Sequence, residues 1–195
     1  MKHATTTLYQ LFESFGVFTS AEIEQTLQYF EYKSYTKGTI IVDIRQVNDK
    51  TYFIENGMLR AFSYQDEEQT ITHRLMSENN FVYLVESFLD QKPSAIALEV
   101  IEKAKLWMIS KQNIDKLYID FPQMNLVGRL MVEQKLKIYE IYIGMLRQSP
   151  IERLDWFYNF HQEFANRVPL KYIATYLNMT PSTLSRVRKR LLSKK

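Results

Sequence analysis

The sequence contains no cysteine, and this absence excludes several kinds of protein at once. Disulfide-stabilised domains, thiolate zinc sites and cysteine-held iron–sulfur clusters all require that residue. The sequence also lacks a continuous run of the roughly 20 apolar residues that a membrane-spanning helix needs. Its first residues, MKHATTTLYQLFESFG, do not include the uninterrupted apolar segment of a signal peptide. We therefore expect a cytoplasmic protein that does not enter a membrane.

Recognisable catalytic motifs are absent as well. The chain has only five glycines, with no glycine-rich phosphate loop and no nucleophile elbow. Its three histidines, His3, His73 and His161, are far apart, and no His/Asp/Glu grouping has metal-ligand spacing. The acidic stretch QDEEQ (Gln65–Gln69) is typical of a solvated hairpin tip rather than a catalytic carboxylate pair. We therefore expect neither an enzyme nor a metal site.

Acidic residues are missing from the C-terminal segment 164–195. The whole chain has a net charge of +3 and this segment carries eight positive side chains, so the first 163 residues carry a net charge of −5. The eight are Arg167, Lys171, Arg186, Arg188, Lys189, Arg190, Lys194 and Lys195. Such asymmetry indicates a basic segment that binds a polyanion. A solvated basic tail has the same composition, so charge alone leaves both interpretations open.

What is present divides into an early mixed region and a later helical one. Residues 1–30 show helical spacing, with Ser20 as the expected N-cap before AEIEQ. From Tyr35, segments rich in β-branched and aromatic residues follow: GTIIVDI, TYFIENG, MLRAFSY, TITHRLM, SAIALEVI and AKLWMI. Gly57 separates two of them. Turn signals roughly eight to twelve residues apart predict a small sandwich or barrel, so we expect an α+β chain with a β domain at 1–120.

A long helical pattern runs from Pro122 to Arg147. Side chains recur in it at alternating steps of four and three, as in a coiled-coil seam: Val127, Met131, Gln134, Ile138, Ile141 and Met145. Leu130, Leu136 and Ile143 lie off this seam, so the helix has two apolar faces and needs two partners. We predict a dimerisation helix at 121–148, although packing on the β domain alone would produce the same stripe.

The C-terminal segment has the features of a helix-turn-helix. Ser149 and Glu152 form a capping-box pattern that begins a new helix, so we place a third domain at 149–195. Within IATYLNMTPSTLSRVRKR, Ala174 supplies the small residue at the helix crossing, and Asn178 tolerates a left-handed turn. The second helix opens with Thr180 as N-cap before a proline. Apolar inner positions complete the pattern: Ile173, Leu177, Met179, Leu184 and Val187.

The outward face of the second helix carries the residues that we expect to contact DNA. An arginine can donate two hydrogen bonds to a guanine edge, and a serine can contact several bases. The predicted base-reading residues are Pro181, Ser182, Ser185, Arg186 and Lys189. Phosphate contacts fix the register without reading sequence, and we assign them to Lys171, Thr180, Arg188 and Arg190. The alternative is a helix pair that docks a protein partner.

These patterns, with KGTIIVDI, YFIENGMLRAF, ESFLDQKPS and LEVIEKAKLWMI, resemble the CRP/FNR family of bacterial transcription regulators, in its Bacteroidetes-type branch. The resemblance implies a cyclic-nucleotide-binding-like β-roll, a dimerisation helix and a winged helix-turn-helix. It also implies a homodimer, double-stranded DNA as the ligand and RNA polymerase as a further partner. The family's base-reading positions match Pro181, Ser182 and Arg186, and two of them usually carry charge. Only the arginine does here, so the operator should differ from that of the cyclic-AMP receptor protein. Little sequence follows Leu192 to build a wing.

The family's effector cassette is degenerate in this chain. In members that bind cyclic nucleotides, a Gly-Glu pair contacts the ribose and an Arg-Ser/Thr-Ala run holds the phosphate. Aligned on PSA, these positions fall on Val82, Tyr83 and Pro93, followed by the retained Ser94 and Ala95. The resemblance therefore implies no cyclic-nucleotide cofactor. The cavity is either filled by its own side chains or holds another effector, with these lining residues: Tyr83, Glu86, Ser94 and Ala95.

Overall fold

The computed structural model describes residues 6–66 and 69–192. Its α-helices are α1 (Thr7–Ser14), α2 (Ser20–Leu27), α3 (Val85–Asp90), α4 (Lys111–Asp120), α5 (Met124–Leu146), α6 (Pro150–Phe160), α7 (Leu170–Tyr176) and α8 (Pro181–Leu192). Its strands are β1 (Glu31–Tyr35), β2 (Ile40–Val42), β3 (Lys50–Tyr64), β4 (Thr70–Met76), β5 (Phe81–Val82) and β6 (Ala97–Ser110). A 3₁₀ turn, Gln162–Phe164, lies between α6 and α7. The predicted α+β class is confirmed.

The strands form one sheet in the order β1-β6-β3-β4, with β2 also paired to β6 and β5 to β3. The pairing of β1 with β6 is antiparallel and places Glu31 opposite Met108 and Tyr35 opposite Ala104. Strand β6 is therefore the centre of the β domain, because it bonds β1, β2 and β3. Among the described residues 149–192 there is no strand. The β-wing that the family resemblance implies is therefore not formed by these residues.

Three predicted boundaries in the β domain are wrong. Strand β3 continues through Gly57 instead of stopping there, although the backbone has φ +100 at this glycine and its N–H donates to Glu78 Oε1 at 2.8 Å. The segments SAIALEVI and AKLWMI likewise join in the single strand β6. The N-cap of α2 is Thr19 rather than Ser20, because Glu22 lies three residues after Thr19 and closes a reciprocal capping box with it.

The chain divides into two compact units: Met1–Ala61 with Met76–Met131, and Phe62–Leu75 with Val132–Lys195. This division differs from the predicted domains in two ways. It divides α5 between the units, and it joins the tip of the β3–β4 hairpin to the C-terminal helices. A hydrogen bond within the second unit illustrates the joining, because the Thr72 N–H donates to Thr175 Oγ1 of α7 at 3.1 Å.

The first unit has two clusters of buried side chains. One lies between the sheet and the flanking helices, and it includes Leu8, Phe12, Ile23, Phe53, Trp107, Leu117 and Val127. The other includes Val42, Tyr52, Ile54, Leu59, Val82, Leu84, Leu98 and Leu106. The second cluster consists of sheet residues and their neighbours, so the chain's own side chains fill much of the β domain. Truncating such a side chain to alanine typically costs about 2–5 kcal/mol.

The close approach of β3 to β6 makes Gly57→Ala more damaging than Gly38→Ala. Both glycines have positive φ (+100 and +86), and such a conformation costs a non-glycine residue about 1–3 kcal/mol. Only at Gly57 does an added Cβ also meet backbone, at Lys103 O and Ala104 Cα, whereas nothing lies within 4 Å at Gly38. Urea unfolding measures both free energies of unfolding. Equal losses would contradict the close approach.

Candidate nucleic-acid interface

Helix α6 begins with the capping box that the sequence predicts. The Ser149 N–H and hydroxyl donate to Glu152 Oε2 at 2.9 and 2.5 Å, and the serine oxygen caps the first turn in return. These hydrogen bonds, the side-chain bond first, lower the pKa of the Glu152 carboxyl below its ordinary value. The cap fixes where α6 starts, and α6 is the helix on which the helix pair rests.

The turn between α7 and α8 is a Schellman motif. The Met179 N–H donates to Ala174 O at 2.9 Å, and the Asn178 N–H donates to Thr175 O at 3.0 Å. Asn178 has φ +53, the left-handed conformation predicted for it. Met179 and Ala174 are both buried, as the hydrophobic contact of this motif requires. The chain therefore reverses direction here through a defined geometry.

Helix α8 starts at the predicted N-cap. Thr180 Oγ1 accepts from the Thr183 N–H at 3.2 Å, and Pro181 occupies the first helical position. The same hydroxyl lies 3.0 Å from Ser182 Oγ. Because Thr180 Oγ1 is engaged in capping, its predicted phosphate contact would have to share that oxygen.

The inner faces of the helix pair are apolar, as predicted. The buried residues are Ile173, Ala174, Leu177, Met179 and Leu184, with Val187 partly exposed. Beneath them α6 contributes Leu154 and Phe157, both fully buried. This core holds α7 and α8 against α6, so the three helices form one small helical domain.

The opposite side of α8 is exposed and cationic. Ser182, Ser185, Arg186 and Lys189 follow one another at steps of three, one and three, so they share one helix face; we call these four residues the reading face. The other predicted DNA contacts, Pro181, Arg188, Arg190 and Lys171, are exposed too. The Lys171 ammonium lies 5.1 Å from the centre of the Tyr172 ring. The structure thus brings the predicted base-reading residues onto one exposed helix.

Two side chains that the sequence analysis did not single out contact the same turn. The Tyr142 hydroxyl of α5 donates to Tyr176 O at 2.8 Å. Arg153 Nη1 of α6 donates to Leu177 O at 2.7 Å and to Asn178 O at 3.1 Å. No local signal in the sequence marks either residue, because the carbonyl partners lie 24 to 34 residues further along the chain.

The long helix α5 differs from the predicted seam. Val127 and Met145, at the two ends of that seam, are each 3% exposed, and Met131 packs against the buried cluster that contains Val127. These residues are covered by their own chain, so they are not free to contact a second one. Gln134, Ile138 and Ile141, between them, are exposed.

A second apolar face of α5 is more open. Its residues follow steps of four, three and four and are 43–60% exposed: Val132, Leu136, Tyr139 and Ile143. We call this the outer face of α5. It lies on the side of the helix opposite the predicted seam, because Leu136 and Ile138 are two residues, or about 200°, apart. The structure therefore leaves a second row of apolar side chains exposed on α5.

The predicted effector residues differ in their surroundings within the described part of the chain. Glu86 and Ala95 are exposed, and the Tyr83 ring packs on Phe88 with 5.1 Å between ring centres. Ser94 is buried, and its hydroxyl donates to Ile96 O at 2.7 Å. A cleft of about 370 Å³ lies elsewhere, beside β1 and β2, and its lining includes Glu31, Lys33, Tyr35, Tyr52 and Met108.

Within residues 6–66 and 69–192, no helix has the length and apolar character to cross a membrane. The same residues contain no group of three or more His, Asp or Glu side chains placed to hold a metal ion.

Comparisons with known proteins agree with this architecture. Residues 32–120 match the family described as the cyclic nucleotide-binding domain. A search of curated proteins gives no match. Among solved structures, FixK2 from Bradyrhizobium japonicum is 17% identical, with 85% of each chain covered and a TM-score of 0.73. The c-di-GMP-responsive global regulator CLP from Xanthomonas campestris is 14% identical, with 90% of this chain and 93% of that chain covered and a TM-score of 0.70.

A third solved structure carries the family name. It is described as a transcriptional regulator of the CRP/FNR family from Eubacterium rectale, and it is 17% identical, with 92% of this chain and 86% of that chain covered and a TM-score of 0.66. Residues 32–120 are thus similar to a cyclic nucleotide-binding domain, and a helix-turn-helix follows at α7 and α8. The chain has the fold of the CRP/FNR transcription regulators, and the resemblance predicted from the sequence is confirmed at the level of the fold.

Proposed function

We propose that this protein is a homodimeric, sequence-specific DNA-binding transcription regulator. The observation that carries the proposal is the reading face of α8, an exposed row that includes Arg186 and Lys189 at the end of a capped turn. A helix of this diameter fits the major groove, where each base pair presents a distinct pattern of donors and acceptors. The acid-free segment 164–195 adds a positive potential that attracts the phosphates of DNA.

Within the reading face, Arg186 is the residue that we expect to read sequence most strongly. It is exposed, and its guanidinium can donate to both acceptors of a guanine. Ser182 and Ser185 add shorter contacts on the same face. Lys171 on α7, with Arg188 and Arg190 at the flanks of α8, supplies phosphate contacts that set the register.

The outer face of α5 supports pairing with a second copy. An exposed row of Val132, Leu136, Tyr139 and Ile143 is too apolar for a solvent-facing helix side, and its heptad spacing matches a coiled-coil seam. If two copies of α5 pair in parallel through this face, a two-fold axis relates the two helix-turn-helix pairs. Half-sites then lie about 34 Å apart, one turn of the duplex. In this proposal the outer face of α5 takes the place of the predicted seam, whose end residues Val127 and Met145 are buried.

The effector of the β domain, in this proposal, is not a cyclic nucleotide. Pro93 stands where the phosphate-binding arginine would be, and proline has no N–H to donate. The neighbouring donors of Ser94 are already used, because its N–H bonds Gln46 O at 2.9 Å and its hydroxyl bonds Ile96 O at 2.7 Å. A buried phosphodiester would therefore lack both its cation and its hydrogen-bond donors.

Arg186→Ala tests the reading face. After selection of bound duplexes from a random pool, we expect the variant to lose about 1–3 kcal/mol on the selected site and to relax preference at one position of each half-site. Arg188→Ala is the matched control, because loss of a phosphate contact weakens binding to all duplexes alike. A uniform loss in Arg186→Ala would make Arg186 a phosphate contact instead.

Salt dependence separates DNA from a protein partner. Binding through six to ten phosphates should lose about 10³–10⁵-fold in affinity between 50 and 200 mM salt. Fluorescence anisotropy with a labelled duplex measures this slope. A shallow slope, or no duplex preferred at low salt, would favour a helix pair that docks a protein.

A pair of charge insertions tests the dimer face. Leu136→Glu places a carboxylate in the centre of the outer face, and we expect monomers in sedimentation velocity. Ile138→Glu inserts the same charge on the opposite side of α5, where it should leave the dimer intact. The reverse result would restore the seam predicted from the sequence, and dimers in both variants would exclude α5 as the interface.

Cyclic AMP should not stabilise the protein. A ligand that binds only the folded state raises Tm as its concentration passes Kd. We therefore expect an unchanged Tm in scanning fluorimetry at millimolar cyclic AMP, with duplex DNA as the positive control. A saturable rise in Tm with cyclic AMP would contradict the assignment of Pro93 and Ser94.

A further inference from the structure

The C-terminal end of α7 has an unusual source of hydrogen bonds. Helices leave their last four carbonyl groups without partners from the helix itself. Here three consecutive carbonyls, those of Tyr176, Leu177 and Asn178, accept hydrogen bonds from side chains of two other helices. The donors are Tyr142 of α5 and Arg153 of α6.

The carbonyls just before these three are satisfied by the backbone. The Leu177, Met179 and Asn178 N–H groups donate to the carbonyls of residues 173, 174 and 175 at 3.0, 2.9 and 3.0 Å. All six carbonyls from 173 to 178 therefore have partners within the protein. The backbone supplies the first three bonds, and Tyr142 and Arg153 supply the rest.

Tyr142 is well suited to a permanent contact. Its ring stacks on the Tyr176 ring at 4.9 Å between centres, with 25° between the planes. Burial, and secondarily Tyr139, raises the pKa of Tyr142 to about 12, so its hydroxyl keeps the proton that it donates at neutral pH. The same helix carries Tyr139 and Ile143 of the outer face. A rotation of α5 would thus move the donor that holds the turn.

Arg153 bonds two successive carbonyls with one nitrogen, at 2.7 and 3.1 Å. Asn178, whose carbonyl it holds, is the left-handed residue at which the chain turns toward α8. A cation at this end also opposes the partial negative charge of the α7 C-terminus. Arg153 therefore fixes the turn to α6, as Tyr142 fixes it to α5.

We propose that Tyr142 and Arg153 are positioning residues for sequence recognition: they hold the α7–α8 turn so that the reading face keeps one orientation relative to the long helix. The inference rests on the proposed DNA-binding function and adds the route by which α5 controls it. Neither residue touches DNA in this account. Base reading needs hydrogen-bond geometry good to a few tenths of an ångström, whereas phosphate contacts tolerate small tilts of a helix.

Tyr142→Phe is the primary test, because it removes one hydroxyl and keeps the stacked ring. We expect affinity for the selected duplex to fall by at most about fivefold, the full worth of one hydrogen bond, while affinity for a scrambled duplex changes less than twofold. Tyr158→Phe is the matched control, because it removes a tyrosine hydroxyl from α6 at a position outside the α7–α8 turn, the reading face and the outer face of α5, and it should behave as wild type.

Arg153 is tested by a graded pair. Arg153→Met removes both hydrogen bonds and should reduce discrimination between the selected and scrambled duplexes at least as much as Tyr142→Phe. Arg153→Lys returns a cationic donor and should recover part of the loss. Equal losses on both duplexes, or no recovery by lysine, would mean that the residue only stabilises the helical domain, and the proposal would be wrong.

A DNA-independent measurement keeps this inference separate from the function it rests on. In hydrogen exchange of the free protein, the amides of Asn178 and Met179 should exchange faster in Tyr142→Phe and Arg153→Met, with α6 amides unchanged. If the wild type selects no duplex, the proposed function fails, and the exchange rates alone show whether Tyr142 and Arg153 hold the α7–α8 turn. If the wild type selects a duplex and Tyr142→Phe binds it as tightly, with unchanged exchange, the positioning role is wrong and the proposed function stands.

Discussion

The turn between α7 and α8 depends on a complete set of carbonyl hydrogen bonds at residues 173–178. The carbonyls of Tyr176 and Leu177 are partly buried, and an unpaired buried carbonyl costs about 1–3 kcal/mol, so their side-chain partners stabilise the turn. Asn178 supplies the left-handed backbone that brings the Met179 N–H back to Ala174. Once that geometry is set, Thr180 falls where it can cap α8, and the direction of α8 follows. The exposed arginine and lysine of the reading face are useful only because this backbone holds them in one place.

A second constraint comes from α5, which has apolar residues on two opposite sides. One side is covered within the chain at its two ends, where Val127 and Met145 are each 3% exposed, and is exposed between them at Ile138 and Ile141. The other side leaves Leu136 60% exposed, and burying such a side chain gains about 1.5–3 kcal/mol. Glycines at 128 and 144 weaken the isolated helix, since each costs about 1 kcal/mol relative to alanine. Covering the outer face by a second copy would offset that weakness, and for this reason folding and pairing are coupled in the proposed dimer.

The sequence predicts what is decided by neighbouring residues. The capping box of Ser149 and Glu152, the left-handed Asn178 and the N-cap Thr180 all depend on residues within about four positions, and the structure confirms them. Gly57 was misjudged because its role depends on Lys103 and Ala104, which approach it from another strand. The seam predicted along α5 stays a prediction for a related reason. A heptad pattern shows that a face is apolar, but it cannot show whether the chain's own residues or a second chain will cover it.

The most distant contacts are the ones that connect the parts of the proposed regulator. Tyr142 lies between Tyr139 and Ile143 of the outer face along α5, and its hydroxyl holds the carbonyl of Tyr176 in α7. The hairpin contacts the same short helix from another direction, through the Thr72 N–H and Thr175 Oγ1. Helix α7 is thus bonded to α5, α6 and the β4 strand at once, although it has only seven residues. In the proposed function, a shift of the hairpin or of α5 would strain or break these hydrogen bonds of 2.7–3.1 Å, so α7 is the element on which both shifts would act.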